Sequence, residues 1–88
     1  MNLAFSGTLL RFVNFQKNMQ IEANSIEDAL KKLAQKYPQS AGVLFDDAGN
    51  VRKVHQLFLN GKQVDPSNIH NPVAETDRLD VLTAIAGG

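Results

Sequence analysis

An α+β fold with one main helix packed on one face of a mixed sheet is the class this sequence predicts. Three observations predict it. Apolar residues follow helical spacing along one clear segment, from Ile26 to Tyr37. Alternating apolar and polar residues, the period of a half-buried strand, stand near both ends of the chain. Between them lies Asn60-Gly61, the strongest short hairpin signal, because a type I′ turn needs positive φ at both central residues.

The elements follow in chain order. Met1 to Ser6 places Leu3 and Phe5 on one side and Asn2, Ala4 and Ser6 on the other, and Gly7 closes this first strand. Thr8 to Phe12 is apolar without alternation and reads as a loop folding back over the sheet. A second strand is expected over Asn18 to Glu22, with Met19 and Ile21 inward. Ser25 is a good helix N-cap, and Asp28 three residues on is a weaker form of the capping-box acid. Ile26, Ala29, Leu30, Leu33, Ala34 and Tyr37 then share one helical face, with Glu27 and Asp28 in the positive first turn and Lys31, Lys32 and Lys36 towards the negative end. Pro38 stops the helix, since the residue before proline disfavours helical angles.

Ser40 to Phe45 suggests one further helical turn, and residues 46–50, Asp-Asp-Ala-Gly-Asn, form a turn cluster. Strand signals resume by Val51 and peak at Leu57-Phe58-Leu59. Lys62 to Val64 is the short return strand, Asp65 to Pro72 a polar loop, and Arg78 to Ala84 the last strand. The order is ββαβββ-like. The predicted core is Leu3, Phe5, Ile21, Ile26, Leu30, Leu33, Leu57, Leu59, Leu79 and Val81. Residues 1–88 read as one domain, with 84–88 a flexible C-terminal tail.

Composition narrows the function. Nine basic and nine acidic residues cancel, which argues against nucleic-acid binding and against a polybasic membrane anchor. The absence of cysteine excludes disulfides, thiolate zinc sites, iron–sulfur clusters and a cysteine nucleophile. No signal-peptide pattern and no membrane-length apolar run is visible, so the expected location is cytoplasmic. No Gly-rich phosphate loop, no H-E-x-x-H and no G-x-S-x-G occurs. His55 and His70 are isolated and read as satisfied or exposed side chains. Asp46 and Asp47 belong to a solvated turn, Lys31, Lys32 and Lys36 to a solvated helix face, and Arg11 to the surface. Nothing assembles a nucleophile, a base and an oxyanion site, so the expectation is no enzyme, no metal and no bound cofactor.

The chain ends Thr83-Ala84-Ile85-Ala86-Gly87-Gly88. A terminal pair of glycines arises by chance in only ~0.5% of chains. Lacking a Cβ, Gly-Gly can thread a narrow channel and present a terminal carboxylate to another enzyme. Gly88 is therefore the expected reactive residue and Gly87 its slim escort. A frayed end or a cloning remnant is the bland alternative.

The one-helix, mixed-sheet order together with terminal Gly-Gly resembles the ubiquitin-like β-grasp superfamily. Residues 57–64, Leu-Phe-Leu-Asn-Gly-Lys-Gln-Val, are similar to ubiquitin's strand–turn–strand. Thr8-Leu9-Leu10-Arg11 resembles the first loop of the MoaD/ThiS family of sulfur carriers. Arg78 to Leu82 with Ala84-Ile85-Ala86-Gly87-Gly88 resembles that family's last strand and tail, most of all CysO-type members. Thr83-Ala84 departs from the Pro-Pro pair of many MoaD proteins, which leans away from the molybdopterin branch.

The resemblance implies a sulfur carrier, a protein co-substrate and not an enzyme. A ThiF/MoeB-like adenylating enzyme would activate Gly88 with ATP, a sulfur donor would displace AMP, and a downstream biosynthetic enzyme would accept the sulfur. A ubiquitin-like modifier conjugated to lysines through the same tail is the alternative, as is a small docking subunit of a larger synthase. Alternation turns Phe58, Leu82 and Ala84 away from the helix, and likeness to ubiquitin marks Phe58 as an outward apolar position. Phe58, Leu82, Ala84, Ile85 and Ala86 are the expected partner-docking residues. The competing expectation is that the Thr8–Phe15 loop covers Phe58.

Overall fold

The computed structural model describes residues 1–83. Five strands form a single mixed sheet in the order β2-β1-β5-β3-β4. They are β1 (Asn2–Gly7), β2 (Asn18–Gln20), β3 (His55–Leu59), β4 (Lys62–Gln63) and β5 (Arg78–Thr83). The central pair, β1 and β5, is parallel, with Asn2 opposite Arg78 and Gly7 opposite Thr83. All other pairs are antiparallel. The first and last strands of the chain thus lie side by side. A parallel neighbour needs a long crossover, and everything from the 8–12 turn to the polar loop supplies it.

Helix α1 (Ile26–Lys36) buries Ile26, Ala29, Leu30 and Leu33 in the core that also takes Leu3, Phe5, Leu79 and Val81 from the sheet. Its start is capped as the sequence predicts: Ser25 Oγ accepts from the Asp28 amide at 3.1 Å. The acid reaches one residue further back than a capping box, accepting from the Asn24 amide at 3.0 Å. Lys31 and Lys32 pair with Glu27 and Asp28 along the exposed face at 3.1 and 3.2 Å. The hairpin is equally direct, with φ of 52° at Asn60 and 86° at Gly61. Asn60 also locks the loop before β5, since its Nδ2 donates to Asp77 and its Oδ1 accepts from the Arg78 amide.

Several expectations need correction. Thr8 to Phe12 is a 3₁₀ turn, not an open loop over the sheet. It tucks Leu9, and Val13 just beyond, fully into the core. An apolar run without alternation suits a tight helical turn, whose side chains do not alternate between two faces. The second strand ends at Gln20, although Ile21 still donates to the Met1 carbonyl and is buried. Strand β3 begins at His55, not near Val51, which makes only an isolated bridge to Phe45. The turn at Arg52, whose carbonyl accepts from the His55 amide, separates the two.

Leu59 is half-buried, not part of the fully buried core. Its neighbour on the outside is Lys62 in the two-residue edge strand β4, which covers little. Leu44 and Ile69 are buried although their segments carry no regular period, while Met1 extends the buried side of Leu3 and Phe5. Short α2 (Ala41–Leu44) follows a 3₁₀ turn at Pro38–Ser40. The Asp46 side chain closes the next turn, accepting from the amides of Ala48 and Asn50. Ala84 and the expected tail, residues 84–88, lie outside the described residues.

Candidate functional site

The two faces of the sheet differ. One is covered by α1, α2 and the 8–12 turn. The other presents Ala4 and Ser6 of β1, Asp80 and Leu82 of β5, and Gln56 and Phe58 of β3. Phe58 stands opposite Asp80 and Gln63, while its neighbour Leu57 pairs with Val81 in the core. It is half-buried and takes no part in the core cluster. Leu82, opposite Gln56 and Ser6, is 45% exposed. Phe58 and Leu82 are diagonal neighbours, about 7–8 Å apart at the backbone and within reach of an aromatic ring. The two described residues of the expected docking set therefore stand on the same face of the sheet, among the polar residues Ser6, Gln56, Gln63 and Asp80. The 8–15 segment does not cover them: Leu9 and Val13 are core, Leu10 and Phe12 pack against the core, and Phe15 is exposed.

Parallel pairing sets Thr83, the last described residue, beside Gly7 at the end of β1, and β3 begins there at His55, opposite Thr83. Leu82 is thus adjacent to the last described residue. Gly87 and Gly88, the expected reactive residues, and Ile85 and Ala86 lie outside the described residues. They follow Thr83 by at most five residues, a reach of roughly 17 Å when fully extended.

The histidines take the plain roles expected of them. His55 is buried with both ring nitrogens bonded, to the Val43 carbonyl at 2.7 Å and the Thr83 hydroxyl at 2.9 Å. Burial holds its pKa below the usual imidazole value, the bond to Val43 opposes that, and the Arg52 charge adds to the lowering. His70 is exposed beside Glu27, with its Nδ1 3.2 Å from the carboxylate. Arg11 is exposed. Among the described residues no three His, Asp or Glu side chains are grouped to hold a metal ion. No helix of the described residues is long and apolar enough to cross a membrane. Sequence reasoning missed the His55–Thr83 pair. The signal was present: His55 occupies an inward position of the 55-57-59 alternation.

A five-stranded mixed sheet grasping one main helix, with a terminal strand running down its centre, is the ubiquitin-like β-grasp architecture. The ThiS family profile matches residues 5–88, and the chain belongs to the ThiS family. Solved structures share the fold. The small archaeal modifier protein SAMP1 of Haloferax volcanii superposes with a TM-score of 0.81 at 19% identity, covering 100% of this chain and 98% of that one. A chain of the Amycolatopsis orientalis BexX/CysO complex gives 0.82 at 15% identity, over 99% and 98% of the two chains. Mycobacterium tuberculosis CysO gives 0.80 at 16% identity, over 96% and 98%. No curated protein is similar enough in sequence to stand as a relative.

Proposed function

We propose that this chain is a sulfur carrier, activated at the Gly88 carboxylate by a separate adenylating enzyme of the ThiF/MoeB kind. The observation that carries the reading is the family match, which runs through the terminal glycines to residue 88. In the first step a Gly88 carboxylate oxygen attacks the α-phosphorus of ATP and pyrophosphate leaves, giving an acyl-adenylate. In the second a sulfur nucleophile from the donor attacks the acyl carbon and AMP leaves. When the nucleophile is sulfide the thiocarboxylate forms directly; when it is the outer sulfur of a donor persulfide, a second thiol of the partner cleaves the S–S bond of the acyl disulfide, leaving the thiocarboxylate on Gly88 and a disulfide on the partner. A downstream biosynthetic enzyme consumes the thiocarboxylate. The chain needs no catalytic side chain and no resident cofactor for this, since ATP and the catalytic groups belong to the partner. With no cysteine in the sequence, no internal thiol can intercept the adenylate. In this reading Phe58 and Leu82, on the face of the sheet turned away from α1, form the docking surface, and Ala84, Ile85 and Ala86 lead into the partner's channel.

The test is ATP–pyrophosphate exchange with the cognate adenylating enzyme. Deleting Gly88 withdraws the carboxylate by roughly 3.5 Å, and a misplacement of ~1 Å already costs about 100-fold in rate. Exchange should disappear while the melting temperature stays put, because the deleted glycine has no side chain to bury. One additional, untrimmed C-terminal residue should act alike. Full exchange in the deletion variant would overturn the carrier reading and leave the docking-subunit alternative. Lysine conjugation is a second reading, favoured by the fold shared with small archaeal modifier protein 1. Mass spectrometry separates the two. A thiocarboxylate is heavier by the difference between sulfur and oxygen, whereas a modifier appears in ladders on other proteins.

A further inference from the structure

Apolar side chains left in solvent gather at one end of the sheet. Among the described residues the large hydrophobics that stay exposed are Phe15, Val54 and Leu82, at 68%, 43% and 45%. Leu82 pairs with Ser6, one residue before the end of β1. Val54 directly precedes His55, which stands opposite Thr83. Phe15 lies at the same level: the Lys17 carbonyl accepts from the Phe5 amide at 2.8 Å, and the chain before Lys17 runs on towards the Gly7 end of β1. From β2 past β1 and β5 to β3 is three strand spacings, roughly 14 Å. A standard contact of about 800 Å² per partner is wider than that, so one partner can cover all three side chains.

Phe15 is held in strain. Asn14 and Phe15 have φ of 55° and 58°. Asparagine tolerates the left-handed region, whereas a phenylalanine there is strained. The turn is kept in that shape by the Phe15 amide, which donates to the Leu10 carbonyl at 2.8 Å, and by the Gln16 amide, which donates to the Val13 carbonyl at 3.1 Å. Burial does not offset the strain, because most of the residue stays in solvent. Strain kept where the core gains nothing points to a use outside the chain.

Charge is sorted along the same axis. Arg11, in the turn after Gly7, and Lys17, Arg52 and Lys53 are all exposed. The ion pairs among the described residues, Lys31–Glu27, Lys32–Asp28, His70–Glu27 and Arg78–Asp80, leave these four out. Arg52 Nε donates to the Gly42 carbonyl at 2.9 Å, which steadies the guanidinium and leaves its outer nitrogens for a carboxylate. Glu22 and Glu75 flank Met1, and the Asp77 carbonyl accepts from the Asn2 amide, so these acids stand at the opposite end. Asp46 and Asp47 lie in the turn before Arg52, where the Asp46 carboxylate is already taken by two amides. A few cations among apolar side chains, on a chain of zero net charge, suit a protein surface better than a nucleic acid.

Gly88 follows Thr83 by five positions, so whatever path they take its carboxylate stays within roughly 17 Å of Thr83. An enzyme that acts on that carboxylate must come close to this end. We infer that this end of the sheet seats an acidic patch of the adenylating enzyme, with Phe15 as the apolar anchor and Arg11, Lys17, Arg52 and Lys53 as the charged rim. The inference rests on the carrier reading and carries the docking surface from Leu82 round the end of the sheet.

Phe15→Gly removes the ring and relieves the strain, since glycine takes positive φ freely. It should melt no lower than wild type, yet bind the cognate adenylating enzyme about 10-fold or more weakly in titration calorimetry. Lys53→Glu and Lys62→Glu change the net charge equally, but Lys62 lies in β4 opposite Leu59, away from this end. Lys53→Glu should raise Kd about 5-fold or more at low salt, and by less as salt rises. Lys62→Glu should leave Kd within about twofold of wild type. Unchanged affinity in Phe15→Gly, a loss there matched by a fall in melting temperature, or equal effects of the two charge reversals would overturn the inference while leaving the carrier reading intact. So would a single-stranded RNA oligonucleotide that binds through Lys53 when the enzyme does not. Absence of pyrophosphate exchange with the wild-type chain would instead overturn the carrier reading, and this inference with it.

Discussion

Leu57 and Phe58 are adjacent in sequence and serve opposite faces of the sheet, so truncating each in turn separates folding from docking. Leu57 is 6% exposed and packs opposite Val81 in the core. Leu57→Ala should cost about 2–5 kcal/mol, the range for a buried leucine whose site cannot fully collapse. At about 4–8 °C per kcal/mol for a domain of this size, the melting temperature should fall by at least about 8 °C. Phe58 is half-buried against Asp80 and Gln63 on the uncovered face. Half of the ~1.5–3 kcal/mol for complete burial is about 1 kcal/mol, and Phe58→Ala should cost no more. If Phe58 anchors the adenylating enzyme, its loss should weaken binding by about 2 kcal/mol or more, near 30-fold in Kd. Urea melts and titration calorimetry with the partner measure the two quantities on the same samples. The reasoning predicts a crossed pattern, with Leu57→Ala unstable and, where folded, binding normally, and Phe58→Ala stable but poorly bound. Equal losses of stability and affinity in Phe58→Ala would refute the docking role.

Leu33→Ala on the buried face of α1 should lose about 2–5 kcal/mol in chemical denaturation; a wild-type melt would mean the helix faces the wrong way. Ser25→Ala removes the cap on the Asp28 amide and should cost about 1 kcal/mol, with Ser25→Asp close to neutral. His55 makes stability depend on pH. Its folded pKa is lowered from 6.5, so below that pH the unfolded chain takes up a proton that the folded chain resists. The contribution is fully present above 6.5 and is lost as pH falls from there through the folded pKa, by at most about 1.4 kcal/mol per pH unit. Thermal melts from pH 8 to 5 should show this slope in the wild type and not in His55→Gln. The carboxylates of Asp28, Asp65 and Asp77 are lowered from 3.8 by hydrogen bonds, first of all to the amides of Asn24, Ser67 and Ala74. They stabilise above 3.8 and release that contribution only below it, outside the histidine window.

Local rules sufficed wherever one side chain answers one backbone need. Ser25 caps α1, Asn60-Gly61 adopts the two positive φ values of its turn, and Asp46 closes the turn that follows Phe45. Period sufficed for α1 and for the inward residues of β1 and β5. It failed at Leu9, Val13, Leu44 and Ile69, which are buried by segments too short or too irregular to show a repeat. For such residues burial is set by what another part of the chain lays over them. The ends of strands were similarly illegible. Val51 and Leu59 carry strand-forming side chains, but pairing depends on whether a neighbouring strand extends that far.

The candidate site divides along the same line. Gly87 and Gly88 could be singled out from sequence because the role proposed for them asks only for the absence of a side chain, a property legible in any sequence. The outward positions of Phe58 and Leu82 followed from strand alternation alone, since adjacent residues of a strand must face opposite ways. Only the tertiary structure put them on neighbouring strands, by setting β3 beside β5 in a register that places Phe58 opposite Asp80. It alone brought His55, Thr83, Val43 and Gly7 together, from positions as far apart as 7 and 83. Sequence determines what each residue can offer, a ring nitrogen, a hydroxyl or a missing Cβ. Which of these meet is decided by the parallel pairing of the first and last strands, a contact across nearly the whole chain that no local pattern encodes.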